Sequence, residues 1–115
     1  MKLEDQVCSL ELAKRLKELG VKQDSVLYHG ANGQITGNLL DLRSPTYSAF
    51  TVAELGELIG DRCISFRTVK TWFTGHVYPE GTRLYTPGQK TEANSRASFL
   101  AFIIENKLIK PTENG

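Results

Sequence analysis

The sequence predicts an α+β fold, a small antiparallel sheet with helices packed mainly on one face, and three observations predict it. Helix-period apolar stripes occupy the two ends of the chain, around Leu10–Leu19 and Ala93–Leu108. Between residues 63 and 86 the period shortens to two, and Pro79-Glu80-Gly81 supplies a turn. The order helix, strands, helix does not alternate as a parallel α/β sheet would, so the strands are expected to pair with one another and the helices to cover one side. A chain of 115 residues fits one domain spanning the whole sequence.

Each element follows from local chemistry. Ser9 is placed to cap a helix whose Leu10, Leu12, Ala13, Leu16 and Leu19 share a face, and Gly20 suits its C-terminal stop. Ser25-Val26-Leu27-Tyr28-His29 has strand character, and the Asn32-Gly33 pair after it favours a tight hairpin. The stretch from there to Pro45 reads as loop. Thr51-Val52-Ala53-Glu54 is a capping box, and Phe50 and Leu55 occupy the positions that staple the chain at a helix start, with Gly60 near its end. Strands are expected at Cys63–Arg67, Val69–Val77 and Thr82–Thr86. Thr91 caps the last helix, whose apolar face takes in Ala93, Ala97, Leu100, Ala101, Ile104 and Leu108, widened by Phe99, Phe102 and Ile103, before Pro111 ends any continuation. So broad a face suits a helix laid across a sheet, and equally one used for self-association.

The candidate site lies in the strands. Read at period two, Val69, Thr71, Phe73, Gly75 and Val77 form one face, taken as the core side. Lys70, Trp72, Thr74, His76 and Tyr78 form the other, where flat π surfaces, hydrogen-bond donors and positive charge stand together. Ser65, Arg67, Arg83 and Tyr85 are expected to join this second face from neighbouring strands, since Ile64, Phe66 and Leu84 suit the core. Arg67, Lys70, Trp72, His76, Tyr78, Arg83 and Tyr85 are therefore the candidate ligand-binding residues, and an anionic, partly aromatic ligand such as a nucleotide suits them. The competing reading is that another element or subunit covers this face and the aromatics are core. Arg43, Tyr47 and Lys90, in loops, are further residues within reach of a ligand.

Enzyme signatures are absent from the sequence. His29 and His76 stand far apart, and there is neither a His-Glu-x-x-His nor a Cys-x-x-Cys spacing, so no metal or other cofactor is expected. Gly30, Gly33 and Gly37 match no phosphate-loop spacing. Glu54, Glu57 and Asp61 are explained by capping and solvation around a short helix. The expectation is a protein without catalytic residues.

Composition restricts partners. A net charge of +1 is too small for broad nucleic-acid binding, so an anion site has to be local. No run of apolar residues is long enough for a membrane span, and Met1-Lys2-Leu3-Glu4-Asp5 is too acidic and polar for a secretory signal, which leads to an expected cytoplasmic location. Cys8 and Cys63, the two cysteines, fall in segments read as helix and strand and are expected to be free thiols.

Three segments carry a resemblance: Val7-Cys8-Ser9-Leu10-Glu11-Leu12-Ala13-Lys14-Arg15-Leu16-Lys17-Glu18-Leu19-Gly20, Ser48-Ala49-Phe50-Thr51-Val52-Ala53-Glu54-Leu55-Gly56-Glu57-Leu58, and Glu92-Ala93 through Glu105-Asn106-Lys107-Leu108-Ile109. In order and spacing they resemble small uncharacterised proteins encoded by phages, prophages and other mobile elements. The shared motifs are helix caps and core stripes, so the resemblance bears on fold and transfers no functional residue. It implies a setting, the host bacterial cytoplasm, in which small proteins act by binding and blocking host components. Two functions are consistent with that setting. One is counter-defence by sequestering a nucleotide or cyclic nucleotide signal; the other is a protein inhibitor that binds a host defence enzyme. A small sequestering protein of this kind often forms its pocket between subunits, so a homo-oligomer is an expectation of the first.

Overall fold

The computed structural model describes residues 2–30, 34–37, 47–60, 63–77, 80, 83–86 and 88–109, and for 83–85 the backbone. The elements are α1 (Leu3–Gln6), α2 (Leu10–Glu18), β1 (Tyr28–His29), β2 (Ile35–Thr36), β3 (Tyr47–Ser48), α3 (Val52–Ile59), β4 (Cys63–Thr68), β5 (Thr71–Val77), β6 (Arg83–Tyr85) and α4 (Glu92–Glu105). The described strands form two antiparallel three-stranded sheets, ordered β2-β1-β3 and β4-β5-β6, rather than one. The α+β class holds, with one short helix, α1, beyond the three expected.

The helix signals act where the sequence places them. Ser9 Oγ accepts from Leu12 N at 3.3 Å, and α2 closes on Gly20, at φ 96°, with Val21 N donating to Leu16 O. In α3 the capping box is complete: Thr51 Oγ1 accepts from Glu54 N, and Glu54 Oε1 accepts from Thr51 N. Phe50 and Leu55 are both buried beside it. Glu54 also accepts from Ser25 Oγ and Val26 N, which ties the chain before β1 to the start of α3. Helix α4 is capped by Thr91 and ends at Glu105, and Lys107 beyond it, at φ 58°, lets Leu108 N reach Ile103 O.

Helix α4 is the centre of the core. Ala93, Ser95, Ala97, Phe99, Leu100, Ala101, Ile103 and Ile104 are buried, a set that goes most of the way round the helix. That burial requires neighbours on several sides, and α1, α2, α3, β4 and β5 all contact it. The breadth of its apolar surface is thus used within one chain. Leu108, expected on the same face, lies past the helix end and is 51% exposed.

Two expectations about the strands are corrected. Residues 25–27 form no strand, because Ser25 and Val26 are engaged by Glu54, and pairing starts at Tyr28. Val69 and Lys70 are not strand residues either: Thr68 pairs with Thr71, so they form a two-residue hairpin turn. The Asn32-Gly33 turn, Arg43, Pro45, Pro79, Gly81 and Pro111 lie outside the described residues.

Sheet β4-β5-β6 packs on α4 with the face opposite to the one expected. Thr74 and His76 are buried, with Thr74 Oγ1 at 2.7 Å from Ser95 Oγ and the His76 ring edge-on to Phe99 at 4.9 Å. Phe73 is out of phase with them and stacks on Phe66, its cross-strand partner, at 5.3 Å on the other face. The reason is polar satisfaction. Arg96 Nε donates to Ser65 Oγ, which bonds Thr74 Oγ1, which in turn bonds Ser95, so the hydroxyl pair of the sheet meets partners from α4 at both ends.

The hairpin turn stores strain that can be removed. Val69 is β-branched, 90% exposed and holds φ 52°, a region that costs such a residue about 1–2 kcal/mol. Val69→Asn is expected to raise the free energy of unfolding by about 1 kcal/mol, seen as a higher urea midpoint with an unchanged slope.

Candidate functional site

Four main-chain and side-chain pins bring distant parts of the chain to one place. An antiparallel bridge joins Val7 to Thr51, setting the end of α1 against the start of α3. A second joins Trp72 to Gln89, through Trp72 N→Gln89 O at 2.7 Å and Gln89 N→Trp72 O at 2.9 Å, and carries Lys90 and Thr91 to the β5 edge. Asn94 Oδ1 accepts from Ser9 N at 2.7 Å, fixing the first turn of α4 to the start of α2. Arg96 donates to Val52 O at 2.8 Å as well as to Ser65, which locks α4 against both α3 and β4. Gly56 permits that arrangement, since a β-carbon there would collide with the Arg96 guanidinium.

Between these pins lies a cleft of about 610 Å³, within the range of pockets that hold small molecules. Arg67 and Trp72, direct partners across β4 and β5, line it together with Lys90. Leu3, Leu27 and Val52 add apolar wall, and Asp5 and Glu92 add carboxylates. Thr51 to Ala53 and Thr91 to Glu92 also line it, so the N-terminal ends of α3 and α4 both open onto the cleft. The half-buried indole offers a stacking surface while the exposed Arg67 and Lys90 offer charge-assisted donors to an anion.

The candidate residues divide accordingly. Arg67 and Trp72 come together in the cleft. Lys70 sits exposed at the hairpin tip and does not line it. His76 is 6% exposed beneath Phe99, a covered position that its alternation with Trp72 does not reveal. Arg83 and Tyr85 pair with Val77 and Gly75, out of phase with His76, so by register they do not join its face; Leu84 pairs with His76. Tyr78 lies outside the described residues. Tyr47 is in β3, with the ammonium groups of Lys14 and Lys17 at 5.7 and 5.0 Å from its ring, away from the cleft lining. Asp5 and the helix starts were not legible as site residues, because the caps explain themselves locally and sequence separation hides the convergence; Lys90 had a signal only in being a basic loop residue.

The thiols and imidazoles are placed for packing. Cys8, just before α2 rather than in it, is fully buried, and desolvation pushes its pKa up to about 11. Burial also raises the Cys63 thiol, opposed by the nearby Arg96 charge. His29, buried, donates from Nε2 to the Cys8 carbonyl at 2.8 Å. Among the described residues no group of three His, Cys, Asp or Glu is arranged to hold a metal, and no helix is long and apolar enough to cross a membrane.

Compared with known proteins, the chain matches no family model, no curated protein and no solved structure.

The Cys8 environment makes a direct prediction. Both thiols should react slowly with a disulfide reagent at neutral pH, Cys63 before Cys8, and both should react at once in denaturant. Because the folded state raises the Cys8 pKa, its contribution to stability is intact at neutral pH and is lost as pH climbs from the free-thiol range through about 11. A thiol titration with and without urea, followed by unfolding curves at rising alkaline pH, checks both statements.

Proposed function

We propose that the chain is a non-enzymatic binding protein of a phage or other mobile element that sequesters a nucleotide or cyclic nucleotide signal in the host cytoplasm, as a counter-defence device. The observation that carries this reading is the cleft in which Trp72 stands beside Arg67 and Lys90. A nucleotide has a flat base and an anionic phosphate, and the cleft has one group for each. Stacking on an aromatic side chain contributes about 1–3 kcal/mol per base, and charge-assisted hydrogen bonds add to it. The thiols have raised pKa values and the histidines are buried, which supports retention of the ligand over its turnover.

A second reading, a protein inhibitor of a host defence enzyme, is favoured by a different surface. Phe66 and Phe73 stack, half-buried, on the sheet face turned from α4, and Val69 stands exposed at the hairpin tip beside them. Aromatics so placed are suited to be anchors in a protein interface.

Native mass spectrometry of the protein with a panel of linear and cyclic nucleotides separates the two. An intact adduct is expected, and Trp72→Ala and Arg67→Ala should each weaken it by about tenfold or more while leaving the circular dichroism spectrum unchanged. No adduct across the panel, together with a host protein retained on the wild type and lost on Phe73→Ala, would favour the inhibitor reading.

A further inference from the structure

The charges around the cleft narrow the class of nucleotide it can take. Its described lining includes two cations, Arg67 and Lys90, and two carboxylates, Asp5 and Glu92. Glu92 is engaged by Arg96 of the next helical turn at 3.3 Å, so its charge is balanced within α4. Arg67, Lys90 and Asp5 make no ion pair among the described residues. Within the described lining, two unbalanced cations against one unbalanced carboxylate leave a single net positive charge.

The helix starts do not change that balance. The N-terminal end of a helix carries a partial positive charge that an anion can use. In α3, however, the Glu54 carboxylate already sits there, accepting from Thr51 N at 3.0 Å and Thr51 Oγ1 at 3.1 Å. In α4 the first-turn acid is Glu92 itself. What α3 adds to the cleft is one neutral donor, the main-chain N–H of Ala53, which at the second helical position has no intrahelical acceptor; the N–H of Val52 is taken up by the bridge that joins Val7 to Thr51.

From this we infer that the cleft selects a nucleotide bearing one phosphate charge, a cyclic mononucleotide, against nucleoside polyphosphates, and that Asp5 sets the limit. The inference rests on the nucleotide reading of the same cleft. The base stacks on Trp72. Arg67, Lys90 and the Ala53 N–H take the phosphodiester monoanion, whose charge the cleft balances. Asp5 accepts a hydrogen bond from an N–H of the base or an O–H of the ribose, groups that every such ligand carries. A triphosphate brings further negative charges for which no free cation remains in the described lining, and they would stand near Asp5 and Glu92. Like-charge juxtaposition in a half-enclosed cleft lowers affinity more than it does on an open surface.

Calorimetric titration of the full chain, at fixed ionic strength and without divalent metal, tests this with cyclic guanosine and cyclic adenosine monophosphate against the matching triphosphates. At least one cyclic mononucleotide should bind about tenfold or more tightly than its triphosphate. Asp5→Asn should narrow that ratio severalfold by improving triphosphate binding. Asp5 is exposed on a short helix, so the substitution is compatible with the fold. Lys90→Gln, also at an exposed position, should weaken the cyclic ligand. A triphosphate that binds the wild type as tightly as the cyclic ligand overturns the charge limit and leaves the nucleotide reading standing. An unchanged ratio in Asp5→Asn overturns the role of Asp5. Failure of cyclic nucleotides and triphosphates alike, with linear monophosphates added as a control, overturns both the inference and the reading beneath it.

Discussion

A line of buried polar groups decides how this chain assembles. Ser65, Thr74 and Ser95 hydroxyls bond in sequence at 3.0 and 2.7 Å, and Arg96 anchors the Ser65 end at 2.9 Å. Thr74 and Ser95 are fully buried, where an unpaired hydroxyl would cost about 1–3 kcal/mol. The two sides can satisfy each other only if β5 lays its Thr74 and His76 face on α4. Hydrophobic burial alone would not require this, since Phe66 and Phe73 lie on the opposite face and remain half-buried. Polar satisfaction therefore sets the orientation of the sheet, and apolar packing of Phe99, Leu100, Ile103 and Ile104 supplies most of the stabilisation.

That orientation is what makes the cleft. With Thr74 and His76 under the helix, Trp72 falls two residues nearer the hairpin, at the point where α4 begins, and Arg67 pairs across from it. The bridge to Gln89 then fixes Trp72 at the entrance to α4. Arg96 reaches from α4 to Val52 O, so the same residue that anchors the hydroxyl line also positions the first turn of α3 as a cleft wall. Gly56, a residue that weakens a helix interior by about 1 kcal/mol relative to alanine, stands where that guanidinium passes. Stability and site geometry depend here on one set of contacts.

Much of the fold was legible because its signals are local. Ser9, Thr51 and Thr91 cap within three residues of themselves, and Gly20 and Gly60 end helices by adopting positive φ. What was not legible depends on partners far along the chain. Alternation in β5 separates two faces correctly but does not say which one is covered, and threonine and histidine resemble surface residues until Ser95 and Phe99 meet them. The turn at Val69-Lys70 carries none of the usual turn chemistry, so nothing in the local sequence separates it from the strands on either side. For the site, Arg67 and Trp72 were found from the aromatic and basic pattern. Asp5 was not, because nothing in its neighbourhood points to residues more than sixty positions away.

The central claim, that α4 covers the Thr74 and His76 face of β5, is tested most directly by nuclear Overhauser contacts in the isotopically labelled protein. The account predicts strong contacts between the His76 ring and Phe99, between the Thr74 methyl group and the Ser95 methylene, and between the Phe66 and Phe73 rings, with none from Phe73 to the middle of α4. Contacts from Phe73 to α4, with His76 showing none, would mean that the sheet packs the other way round and that the cleft as described does not form.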